Sequence, residues 1–135
     1  MVRRKKKTAS PQQKRSALIK ECEKLLFKIL KKERGGMCEL CGGTALLGTF
    51  HIMSKKTYPR IRLNKQNLLI AGWYCCHHLW HHDIEVQEVI HEKIKKLRGN
   101  DYRDQLKALD AFSPKLSMTR LNLLHEAFKK ELEAS

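Results

Sequence analysis

Four of the five cysteines and five of the seven histidines in this chain fall between positions 38 and 82. Clustering of that kind is what metal chemistry needs. Cys38-Glu39-Leu40-Cys41, followed by Gly42-Gly43, has the form of a zinc knuckle. Two thiolates separated by two residues can reach one tetrahedral ion, and glycine permits the tight turn behind them. A structural zinc site takes four ligands, and Cys75-Cys76-His77-His78 supplies candidates for the remaining two. Cys75 and His78 repeat the two-residue spacing, while Cys76 is an equally placed thiol, so the choice between them stays open. His77 and His81 lie four apart, as do His78 and His82. Either pair would share one face of a helix and could hold a second divalent ion. Histidine ligands favour manganese, nickel or zinc over magnesium by softness. His51 stands at the end of an apolar stretch and titrates, unperturbed, near 6.5, which suits a general base at neutral pH.

The ion and the base need a substrate, and the charge suggests which. The net charge is +14, and it is unevenly spread. Residues 1–34 carry 13 Lys/Arg against 3 Glu, residues 35–82 carry 5 against 1, and residues 83–135 balance at 10 against 10. The positive field therefore belongs to the N-terminal and central segments. A polyanion such as DNA is the expected partner, bound largely through counterion release. Lys55, Lys56, Arg60 and Arg62, shortly after His51, are the candidate phosphate contacts.

These groups must be positioned by a scaffold. Residues 1–10 read as a basic flexible arm. Ser10-Pro11 is an N-cap followed by proline at the first helical position. From there to Arg34, the residues Ala17, Leu18, Cys22, Leu25, Leu26, Ile29 and Leu30 recur at helical steps, giving a basic amphipathic helix that Gly35-Gly36 ends. Cys22 lies on that stripe and reads as a buried core thiol. Between Met37 and Ile70, glycines, Pro59 and short apolar runs predict turns and brief strands. Beyond Asp83 the chain reads as helix. Ile84, Val86, Val89, Ile90, Ile94 and Leu97 form one stripe, Tyr102 to Phe112 a second helix, and Ser113-Pro114 is the expected cap of a third.

The order Cys38-x-x-Cys41, His51-Ile52, Asn67-Leu68-Leu69 and Cys76-His77-His78-Leu79-Trp80-His81 resembles the HNH endonucleases, the ββα-metal or His-Me finger family. Among them it is similar to phage-type members, the NinG-like recombination nucleases included. The stretch Pro59-Arg60-Ile61-Arg62-Leu63-Asn64-Lys65-Gln66-Asn67 adds to that likeness. The resemblance spans roughly residues 37–82. It implies His51 as the base that deprotonates the attacking water, and Asn67 as the residue that holds the loop and orients His51. It places His77 and His81, or His78 and His82, on the metal-bearing helix. Two positions depart from the pattern. Phe50 stands where many members have an acidic residue or a histidine, and Trp73 where many have the first cysteine of a second knuckle.

The expected architecture is α+β. A zinc-stapled ββα-metal core over residues 35–83 is flanked by the amphipathic helix 11–34 and a helical extension over 84–135. The expected activity is metal-dependent hydrolysis of phosphodiester bonds in DNA, duplex or branched, with structural zinc and a catalytic magnesium, manganese or nickel ion. The alternative is a zinc-stabilised nucleic-acid-binding module that keeps the scaffold without cutting. No apolar run approaches the roughly 20 residues of a membrane span, so a soluble, cytoplasmic protein is expected. The extension either packs back on the core or pairs with a second copy as a homodimer.

Overall fold

The computed structural model describes residues 8–73, 76, 80 and 83–135. It is α+β. Among the described residues, helix α1 (Pro11–Glu33) precedes strand β1 (Leu47–His51) and strand β2 (Leu68–Gly72). Helices α2 (Ile84–Arg98), α3 (Tyr102–Phe112) and α4 (Met118–Ala134) follow.

The start of α1 is a reciprocal cap. The Ser10 hydroxyl accepts from the Gln13 backbone N–H, and the Gln13 side chain accepts from the Ser10 N–H. Two orphan donors of the first turn are thereby satisfied. The helix ends where Gly36 N–H reaches back to the Lys31 carbonyl, with Gly35 and Gly36 both at positive φ. The buried stripe is Ile19, Cys22, Leu26, Ile29 and Leu30. Ala17 is exposed and Ile19 takes its place, because the face that matters is the one turned toward α4.

β1 and β2 pair antiparallel, with Phe50 opposite Leu69, His51 opposite Leu68, and Thr49 opposite Ile70. Side chains alternate across such a sheet, so paired residues share a face. Phe50, Leu69 and Ala71 enter one core with Ile61, Ile90, Ile94, Tyr102 and Leu106, closing it with α2 and α3. Leu68 and Ile70 enter a second core with the α1 stripe and Leu116, Leu121 and Phe128 of the C-terminal segment. The sheet is thus the middle layer between two helical layers. Helices α2 and α3 pack on one face of the sheet, and α1 and α4 pack together on the other.

Two expectations for the helical extension are corrected. The N-cap of α4 is Ser117, whose hydroxyl accepts from Arg120 N–H, not Ser113; Ser113-Pro114 lies in the extended connection before it. In α2 only Ile90 and Ile94 are buried, with Val86 half-buried; Ile84, Val89 and Leu97 face outward. The helix meets the core along a seam narrower than its apolar stripe. No helix among the described residues is long and apolar enough to cross a membrane.

Candidate functional site

The knuckle folds by its own backbone. Cys38 N–H donates to the Gly43 carbonyl at 2.7 Å, and Gly42 N–H donates to the Cys38 carbonyl at 2.8 Å. Gly42 holds φ +80°, a conformation that strains residues with a Cβ. The loop is fastened to the outer edge of β2: Glu39 N–H donates to the Ile70 carbonyl, and the Glu39 carboxylate accepts from Ile70 N–H at 2.6 Å. Cys76, beyond the end of β2, then comes alongside. The sulfurs of Cys38, Cys41 and Cys76 all lie within 4.8 Å of one another, with Cys38 and Cys76 3.7 Å apart. Tetrahedral zinc with Zn–S bonds of about 2.3 Å sets its sulfurs about 3.8 Å apart. The arrangement fits such an ion.

Electrostatics agrees with that fit. Burial pushes the Cys38 thiol up, but hydrogen bonds from the backbone of Gly72, Leu40 and Cys41, with the Cys41 side chain, more than reverse it and bring it to about 7. A thiolate is the form that binds a metal. Cys22 is the contrast. Burial and the carboxylates of Glu21 and Glu23 push it up to about 11, and its thiol donates to the Leu121 carbonyl at 3.8 Å within the second core. It is the core thiol the helix stripe predicted. Cys76 therefore joins Cys38 and Cys41, and no fourth Cys, His, Asp or Glu among the described residues completes the set. Cys75, His77, His78, His81 and His82 lie outside the described residues.

His51 closes β1, half-buried. Its Nε2 lies 3.0 Å from the Arg62 carbonyl. A carbonyl only accepts, so Nε2 carries the proton and Nδ1 keeps the lone pair. Burial holds the ring below the ordinary histidine range; the Arg62 carbonyl and the Glu23 carboxylate oppose that pull only in part. The imidazole is neutral at pH 7 and basic at Nδ1. Asn67 is fully buried. Its Oδ1 accepts from Met53 N–H at 2.7 Å, and its Nδ2 donates to the carbonyls of Met53 at 3.1 Å and Ile61 at 3.5 Å. One side chain thus closes the loop from 52 to 67. That loop carries Arg62, whose carbonyl meets the His51 ring.

Alternation along β1 separates His51 from its neighbour. Phe50 points into the core of α2 and α3, its ring 5.3 Å from the Trp80 ring at 79°. Trp80 is held in turn by His91 at 4.7 Å between rings, and its carbonyl accepts from the Gln87 side chain at 2.6 Å. His51 shares a face with Leu68, toward α1. Cys76 and Trp80, the described points of the 76–82 segment, belong to the Phe50 side.

The four basic residues after His51 divide evenly. Lys55 and Lys56 are exposed and open to an anion. Arg62 is bound through Nε to Glu23 of α1 at 2.7 Å, and Arg60 reaches Asp110 through its backbone and the Ser113 carbonyl through its guanidinium. Arg60 and Arg62 thus tie the loop to α3 and α1. Sequence reasoning missed Glu23, Arg34, Glu39 and Arg98, whose partners lie far along the chain with no local spacing to announce them. Comparison with known proteins finds no family model, no curated protein and no solved structure that matches this chain.

Proposed function

We propose that this chain is a zinc-stapled, metal-dependent endonuclease of the HNH type acting on DNA, with His51 as general base. The observation that carries the reading is the His51–Arg62 hydrogen bond. It selects the tautomer with Nδ1 available to take a proton from water, on a ring that burial keeps neutral at pH 7. Asn67 supports the same reading, since a fully buried amide that ties the loop to itself keeps the Arg62 carbonyl where the ring needs it. A magnesium, manganese or nickel ion would stabilise charge on the phosphate and the leaving oxygen. Its protein ligands would be His77 and His81, or His78 and His82. Exposed Lys55 and Lys56, with the basic outer face of α1, would lie along the strand as sequence-independent phosphate contacts.

A second reading has its own observation. Phe50 fills the space against Trp80 at the position where an additional metal ligand would stand. A scaffold so packed suits a zinc-stabilised nucleic-acid-binding module that does not cut.

The two readings separate on one experiment. Supercoiled, linear and branched DNA are incubated with the protein with and without manganese or magnesium, alongside His51→Ala. The endonuclease reading expects metal-dependent conversion that His51→Ala lowers by a factor of about 10² to 10⁴, with DNA affinity and zinc content kept. Absence of metal-dependent cleavage in the unmodified protein, with DNA still bound, selects the binding module.

A further inference from the structure

Away from His51, a cleft of about 370 Å³ opens beside the outer edge of β2, where the ends of α1 and α2 meet α3. Arg34, Arg98, Gln66 and Gln105 line it, with Tyr102 forming part of the wall. Its lining carries three cations and no carboxylate; the carboxylates stand behind them. Glu39 is the carboxylate between two guanidiniums: Arg34 Nη1 lies 3.1 Å from one oxygen and Arg98 Nη2 3.9 Å from the other. That carboxylate also accepts from Ile70 N–H, and Arg34 spends Nη2 on the Lys65 carbonyl at 3.0 Å. Lys65, also on the rim, is occupied by Glu33 and Glu131. Arg98 is the most loosely held, its ion pair with Glu39 lying beyond hydrogen-bond distance. Its Nη2 is buried with no hydrogen-bond partner among the described residues, and its pKa is pushed down by burial and by Arg34 nearby, with Glu39 opposing. A buried charged donor without an acceptor costs stability that folding alone gives no reason to spend.

We infer that this cleft is a binding site for a phosphate-class oxyanion, received by the Arg98 guanidinium with Arg34 beside it. A guanidinium presents its donors in a planar fork that matches phosphate oxygens. The amides of Gln66 and Gln105 give further donors at the rim. The volume exceeds what a bare phosphate needs and leaves room for the sugar of a nucleotide, free or at the end of a strand. This site stands independently of the nuclease reading, because it uses neither His51 nor the thiol cluster.

The test is calorimetric titration of the full chain with inorganic phosphate, a nucleoside monophosphate, and an oligonucleotide with and without a 5′-phosphate. Arg98→Gln is expected to weaken phosphate binding about tenfold or more. Lys107→Gln, which removes the same charge from an exposed position on α3, should bind within about twofold of the unmodified protein. Gln105→Glu places a carboxylate at the rim from an exposed position and should abolish binding even if Arg98→Gln folds poorly. Preference for the phosphorylated oligonucleotide over its unphosphorylated twin identifies a strand end as the source. Preference for the monophosphate over both identifies a free nucleotide. Equal phosphate affinity in Arg98→Gln and the unmodified protein, or an equal loss in Lys107→Gln, overturns the site.

Discussion

The two faces of the β1–β2 sheet are one residue apart in sequence and do different work. The face bearing Phe50 meets Cys38, Cys76 and Trp80, and is built of sulfur, aromatic rings and aliphatic side chains. The face at His51 meets α1 and its carboxylate Glu23, with Arg62 between them. Both faces enter a core, but only the second carries a titratable ring held by a backbone carbonyl. The difference shows that two equally packed faces of one small sheet can present different chemistry. The sheet has only two strands, and a two-stranded ribbon is marginal alone. The thiol cluster and the two helical layers hold it.

That division can be broken from the thiol side. Removing zinc with a chelator, or replacing Cys38 by Ser, is expected to cost more than about 3 kcal/mol and to loosen the knuckle and β2 together. Thermal melts with and without chelator, with zinc counted by atomic absorption, check this. A melting temperature unmoved by full metal removal would mean the thiols only pack.

Neighbouring substitutions sharpen the contrast. Phe50→Ala should destabilise by about 3 to 5 kcal/mol, since it empties a fully buried site against Trp80. His51→Ala, half-buried at the strand end, should cost about 1 kcal/mol or less, the scale of one hydrogen bond. Denaturant unfolding of both variants measures the pair, and equal losses would erase the distinction between the faces.

The smallest effect is in pH. The folded His51 ring titrates below its unfolded value near 6.5, so the unfolded chain takes up its proton first as pH falls. The stability contributed by the neutral ring is complete above pH 6.5. It declines as pH drops from there toward the folded value. Subtracting the pH–stability curve of His51→Gln from that of the unmodified protein isolates this component. A difference curve that is flat, or that rises toward acid, would place the ring in solvent or beside a dominant carboxylate.

Much of this was legible in the residues. The N-cap Ser10, the knuckle Cys38–Cys41, and the helix Tyr102–Phe112 depend on groups within a few positions of one another, so local spacing reveals them. Cys22 as a core thiol followed from helical period alone. The intramolecular partners of Arg60 and Arg62 were not legible, because charge says nothing about a partner. Glu23 lies 39 residues from Arg62, and only the packing of the loop on α1 brings it within 2.7 Å. The narrow seam of α2 was equally hidden, because its apolar stripe is broader than the surface available to cover it.

Sequence by itself determined the α+β class, the start and end of α1, the seat of the charge and the first two thiols of the cluster. Tertiary structure decided that Cys76 joins them, that Asn67 is buried to tie the loop at Met53, and that Phe50 and His51 look in opposite directions. The reason is register. A strand alternates every residue, so which face meets which helix depends on Phe50 lying opposite Leu69, a pairing 19 positions apart that no local pattern encodes.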